Sequence, residues 1–262
     1  YAMLGGYPMS NMRGIDTPVR QTRRRVFKEV ANLAYTSTNL KDDMEATYQA
    51  EKEFFLRLPL IFRSHTADFY KKIAVEMGNL KLDGFVVRNY ESLAFVKAHF
   101  PNRNIVIDHN LYTYNNYAKK AFWEYGVCRD TIPLELNQKE IRKRNNQNSE
   151  MIIYGHYPLM TTAGCVHKNT IGCDRKSQIS YLKDRYHVLF PVKNYCAECY
   201  NVIYNSVPVL LFGEQEKLKQ MQICHFRLEF TVETERETNN VFDLYEGKGM
   251  EMDYTNGHYK RG

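Results

Sequence analysis

The sequence predicts an α/β fold, a (β/α) TIM-like barrel that is incomplete if its opening strand lies upstream, with a cysteine-bearing β-hairpin insertion. Three observations predict it. Seven short apolar runs, rich in Val and Ile, end on polar residues and read as strands buried on both faces of a parallel sheet. Amphipathic stretches with helical spacing separate them. One interval, residues 157–206, is far longer than a βα loop and holds four cysteines. The alternation also suits an open doubly wound sheet, but no Gly-rich phosphate loop follows any run, which favours the barrel.

Residues 1–57 read as an irregular arm followed by helices, "TRRRVFKEVANLAY" and "LKDDMEATYQAEKEFFLRL". The barrel domain is expected over 58–262. Its strand runs are "RLPLIFRSH" (57–65), "LDGFVVRNYE" (82–91), "RNIVIDHN" (103–110), "RDTIPLELN" (129–137), "EMIIYGH" (150–156), "VPVLLFGE" (207–214) and "CHFRLEFT" (224–231). Crossover helices are expected in 66–80, 91–100, 115–127, 137–145 and 214–222. The chain opens on Tyr1 and not on Met, so a longer polypeptide is expected.

With 262 residues, 44% hydrophobic and 13% aromatic, the chain has material for a substantial core and is not of disordered composition. No apolar window reaches the length of a membrane helix and no signal layout opens the sequence, so a cytoplasmic location and no membrane partner are expected. A net charge of +6 favours polyanionic partners such as RNA, with "RQTRRR" (20–25) and "RKRNNQ" (142–147) as phosphate contacts or simply solvated runs.

Barrel chemistry sits where the C-terminal strand ends converge. Those ends supply Arg63 and His65, Arg88 and Asn89, Asp108, His109 and Asn110, Glu135 and Asn137, His156, Glu214, and Arg227 with Glu229. The catalytic candidates are Arg63, Arg88, His109, Glu135, His156, Arg227 and Glu229. Arg63, Arg88 and Arg227 together would make a mouth suited to carboxylate or phosphate. Any single member also reads as the polarity that returns at a strand end, as with an N-cap at Asn137.

Within 157–206, "ISYLKDRYHVLFPV" reads as a hairpin with Cys165 and Cys173 before it and the CxxC pair Cys196 and Cys199 after it. Four thiolates suit tetrahedral zinc or an iron-sulfur cluster, and a redox dithiol or free thiols are the remaining readings. His167 or His187 could replace one ligand. Cys128 and Cys224, each just before a strand, read as small buried hydrophobes without a role. No GxSxG or HExxH occurs, so these residues write no peptidase mechanism.

The run "YGHYPLMTTAGCVHKNTIGC", followed by "LKDRYHVLFPVKNYCAECYNVIYNSVPVLLFGE", "FRLEFTVETE" and "TNGHYKRG", resembles the C-terminal region of long members of the peptidase U32 (collagenase-like) family. The resemblance spans residues 58–262. It implies a barrel-type domain and a [4Fe-4S] cluster held by Cys165, Cys173, Cys196 and Cys199, with zinc as the alternative. It also implies oxygen-independent hydroxylation of tRNA or rRNA pyrimidines, with a small carboxylate such as prephenate as oxygen source. The family name points instead to proteolysis of a protein or peptide substrate. A noncatalytic barrel module pinned by a metal is the third reading.

Overall fold

A computed structural model describes residues 2–4, 53, 55–79, 82–196 and 198–261. The first expected N-terminal helix, the second up to residue 52, and the "RQTRRR" run lie outside the described residues, while the end of the second, Phe55–Arg57, is a strand and not a helix. Among these residues seven parallel strands form one curled sheet, in spatial order β1 (Ala2–Leu4), β12 (His225–Phe230), β6 (Ser149–Gly155), β5 (Arg129–Thr131), β4 (Asn104–Ile107), β3 (Gly84–Val87) and β2 (Phe55–Arg57). The end strands β1 and β2 lie near each other without pairing, so the sheet is compatible with an incomplete barrel. A two-residue strand, β11 (Val209–Leu210), runs antiparallel against β6.

The helices are α1 (Ser64–Lys72), α2 (Ala74–Gly78), α3 (Tyr90–His99), α4 (Asn116–Glu124), α5 (Gln138–Arg142), α6 (Val166–Thr170), α7 (Gln215–Gln220) and α8 (Glu235–Tyr245). Strand alternation sorts the side chains into two layers. Leu56, Phe85, Val87, Ile105 and Ile107 pack with Leu93, Phe95, Val96 and Phe122 of α3 and α4. Phe55, Val86 and Val106 pack together as a separate small cluster. A third cluster joins Met151, Ile153, Leu218, Leu228 and Val241. Among the described residues no helix is long and apolar enough to cross a membrane.

Helix starts follow local chemistry. The Asn89 side chain accepts from Ser92 N at 2.7 Å, and its Nδ2 donates to Pro59 O and Leu60 O, tying α3 to the segment after β2. Asn137 with Glu140, and Thr234 with Glu237, form capping boxes on α5 and α8.

Several expected elements differ. The first strand lies earlier than its run, at Phe55–Arg57, overlapping it at Arg57 alone, and the chain leaves the sheet before Pro59, which has no N–H to donate. The fourth run pairs only through Thr131, two residues before Pro133. The sixth is not a parallel barrel strand but the antiparallel β11. The first crossover helix divides at Ile73 into α1 and α2. Cys128 and Cys224 are exposed and not buried, because each precedes its strand at the N-terminal rim of the sheet, ahead of the packed layers. In the run 142–147, Arg144 and Asn146 are buried and therefore not phosphate contacts: Arg144 bonds Asp130 Oδ2 and Ser149 Oγ, each at 2.7 Å, and Asn146 Nδ2 donates to Ile141 O and Met221 O.

Gly84 is required by close packing. A Cβ there would collide with the Asn104 carbonyl of the neighbouring strand and stand 2.7 Å from the Phe55 ring. Gly84→Ala is expected to destabilise the fold by about 1–3 kcal/mol, read as a lower urea midpoint with an unchanged slope.

The long interval after β6 forms a second, four-stranded antiparallel sheet in the order β7 (Pro158–Thr162), β10 (Tyr200–Tyr204), β9 (Leu189–Tyr195) and β8 (Ile179–Lys183). Its inner residues Tyr200, Val202 and Tyr204 pack with Val232, Leu60 and Ile61, which follow β12 and β2. The small sheet thus covers the C-terminal end of the large one.

Candidate functional site

Under that cover lies a buried ionic lattice. Arg57, at the end of β2, bonds Asp108 Oδ2 through Nη2 at 2.5 Å and Glu229 Oε1 through Nη1. Arg227 Nη1 donates to Asp108 Oδ1 at 2.9 Å and to Glu229 Oε2 at 3.3 Å. Its Nη2 donates to Thr131 Oγ1 at 2.7 Å and pairs with Glu150 Oε1. Arg227 and Glu150 are wholly buried and Asp108 almost so. Burial pushes the Asp108 carboxyl up, but the guanidiniums of Arg57 and Arg227, with His109 and Arg88, outweigh it and hold the group well below the ordinary carboxylate range. Glu229 is likewise lowered, burial opposing and Arg57 and Arg227 prevailing.

Arg88 approaches the lattice from β3 without joining it. Its Nε stands 3.3 Å from Asp108 Oδ2, within ion-pair range but not aligned for a hydrogen bond. Neighbouring His109 is buried, and its pKa is lowered by burial, with Arg88 and Arg57 adding to that and Asp108 opposing. Asn110 Nδ2 donates to Arg88 O at 2.5 Å, while its buried Oδ1 receives no hydrogen bond from the described residues. These three residues line a cavity of about 820 Å³ whose other walls include Tyr112, Tyr157, Leu60 and Val209. Tyr112 stacks on Tyr114 at 5.5 Å with ring planes 7° apart, and both rings are largely exposed.

Tyrosines of the small sheet face the lattice. Tyr195 stacks on Tyr200 at 4.7 Å, and its hydroxyl meets that of Tyr204 at 3.0 Å. Burial raises the pKa of all three. Tyr195 and Tyr200 adjoin Cys196 and Cys199 in sequence, so the same strands that wall the lattice end at the thiols.

Cys165 N-caps α6, its Sγ accepting from Lys168 N at 3.3 Å. Cys196 Sγ accepts from Asn194 Nδ2 at 3.3 Å and lies 3.2 Å from Lys176 O. The Cys196 thiol is pushed up by burial and then by Cys165, Cys173, Asp174 and Cys199, so all four thiols act electrostatically on one neighbourhood. Thiolates brought together there repel one another, and a bound cation would relieve that repulsion. N–H donors to two of the sulfurs suit a thiolate-ligated centre as well. As placed, no three His, Cys, Asp or Glu side chains among the described residues are gathered closely enough to grip an ion. The donor set therefore fits such a group chemically, with closure of the thiols required on binding.

The structure distributes the residues singled out in the sequence. Arg88 and His109 share the cavity with the exposed Glu135, and Arg227 and Glu229 lie in the lattice beneath. Arg63, which precedes α1, is exposed and outside this cavity, so the three arginines do not form one anion site. Half-buried His156 Nδ1 contacts Asn205 O at 2.8 Å, at the root of the small sheet. Glu214 pairs with Lys217 and Lys260. His167 is engaged with Gln178 and lies 3.4 Å from Asp174, and His187 is an exposed turn residue at φ 67°. Sequence reasoning missed Arg57 and Glu150. Each is a charge inside an apolar strand, "FLRL" and "SEMII", and that placement was the available signal.

The model of the family described as peptidase family U32 matches residues 22–248. No curated protein matches the chain. Among solved structures the chain is similar to the C-terminal domain of a protein designated a chitinase from Desulfitobacterium hafniense DCB-2, at 10% identity and TM-score 0.36, covering 82% of this chain and 84% of that one. It is also similar to the spore cortex-lytic enzyme SleL of Bacillus megaterium QM B1551, at 9% identity and TM-score 0.37, covering 93% and 73%.

Proposed function

This chain belongs to peptidase family U32, and we propose that within it the protein serves as an iron-sulfur-dependent, oxygen-independent hydroxylation factor for RNA pyrimidines. The observation that carries the reading is the shared neighbourhood of Cys165, Cys173, Cys196 and Cys199 at the end of the strands that cover the mouth. A [4Fe-4S] cluster bound by those thiols would supply one-electron transfer. The remaining work falls to side chains of this chain. Arg88 offers a charged donor to an anionic oxygen source, and Tyr195, Tyr200 and Tyr204 keep bulk water from the lattice side. The exposed Tyr112–Tyr114 pair at the rim offers a face on which a nucleobase stacks.

A cysteine peptidase would need a thiolate activated by histidine. His167, two residues from Cys165, is instead engaged with Gln178 and Asp174. The test is mass spectrometry of tRNA and rRNA from cells lacking the gene. A hydroxylated pyrimidine should disappear and return with the intact gene but not with Cys196→Ser. An unchanged RNA profile, or gelatin cleavage that survives Cys165→Ala and Cys196→Ala, overturns the reading.

A further inference from the structure

We propose that the cavity beside the lattice is a binding site for a small 2-hydroxycarboxylate: the free edge of the Arg88 guanidinium takes the carboxylate, Asn110 Oδ1 accepts the neighbouring hydroxyl, and Leu60, Tyr157 and Val209 enclose a compact apolar body. This deepens the reading that the mouth receives a small carboxylate, and it stands on atoms the lattice leaves over.

Asp108, the only carboxylate within ion-pair range of Arg88 among the described residues, is engaged by Arg57 and Arg227. Neither Nη atom of Arg88 donates a hydrogen bond to a described residue, although the side chain is only 13% exposed. Beside a carboxylate already engaged by two other arginines, a guanidinium so enclosed gains from a further acceptor, and a carboxylate matches its planar fork. Asn110 is fixed by its Nδ2 bond to Arg88 O, so its orphaned Oδ1 stays beside Arg88 and calls for an N–H or O–H donor. A carboxylate next to a hydroxyl satisfies both from one short fragment.

His109 strengthens the match. Its ring lines the cavity, the side chain is more than nine-tenths buried, and no ring hydrogen bond forms among the described residues. Held neutral, it can donate to or accept from the same ligand without adding charge. At depth the wall offers one guanidinium, and at the exposed rim Glu135 and Arg261 offset each other, so the site matches a singly charged ligand better than a phosphate dianion.

Calorimetric titration of the full chain with mandelate, phenylacetate and mandelamide tests this, since the last two lack the hydroxyl and the charge respectively. Mandelate should bind at least about tenfold more tightly than either. Arg88→Gln should bring mandelate down to the level of mandelamide, and Arg88→Lys should recover part of the loss. Asn110→Ala should erase the preference for mandelate over phenylacetate, with thermal melts showing that each variant folds. Equal binding of all three probes, no saturable binding at millimolar concentration, or an Arg88→Gln protein that keeps mandelate would overturn the site. Absent binding with RNA hydroxylation intact refutes this site alone, and intact binding without hydroxylation refutes only the proposed function.

Discussion

Arg227→Leu is expected to lower folding stability by about 3–5 kcal/mol, a large part of what a single domain possesses. The guanidinium meets Asp108, Glu150, Glu229 and Thr131 at once, and all four side chains are buried. Removing it strands buried negative charge and leaves Glu150 with Thr131 as its one remaining donor among the described residues. Adding Glu150→Leu to that variant should restore part of the loss, since it removes a charge that then has no counterpart. Urea unfolding of the single and double variants reads both effects, and a single-variant loss under 1 kcal/mol would mean that solvent reaches the lattice.

The same lattice sets the acid limit. Asp108 and Glu229 have folded-state pKa values below their ordinary ones, so the unfolded chain binds protons first as pH falls. Their contribution is fully present above the ordinary carboxylate range, near pH 4, and is lost as pH falls from there through the lowered folded values. Asp108→Asn should flatten that acid limb and lower stability at neutral pH.

Cys196→Ser is expected to remove the iron-sulfur centre and with it all hydroxylation, the largest functional effect of any single change. Cys196 is the point at which the influence of the other three thiols is felt, and it receives the Asn194 donor. Cys128→Ser and Cys224→Ser are the matched controls. Both thiols are exposed just before β5 and β12 at the opposite, N-terminal rim, and both variants should keep iron and activity. Loss of iron in the controls as well would point to general unfolding.

The parallel series was legible because buried strands have no polar face: "GFVV" and "NIVI" announce β3 and β4 directly. Asn137 could be placed at a helix start because a cap is a local device. The first and fourth runs failed at Pro59 and Pro133, where apolarity continued but the hydrogen-bond ladder could not. Arg227 illustrates what a linear reading misses. Its strand-end position suggested a ligand-facing cation, whereas pairing with residues 77 and 119 positions away in sequence commits it to the interior. The unpartnered edge of Arg88 is visible only once Asp108 has been assigned to other arginines, and that is a property of the folded arrangement.

The most direct test is anaerobic purification of the full chain, followed by an absorption spectrum and iron, sulfide and zinc analysis. Iron and sulfide in equal amounts, a broad visible absorption that air bleaches, and loss of both in Cys196→Ser are expected. Zinc without iron or sulfide, unchanged by air, would contradict this and make the four thiols a structural clasp on the small sheet.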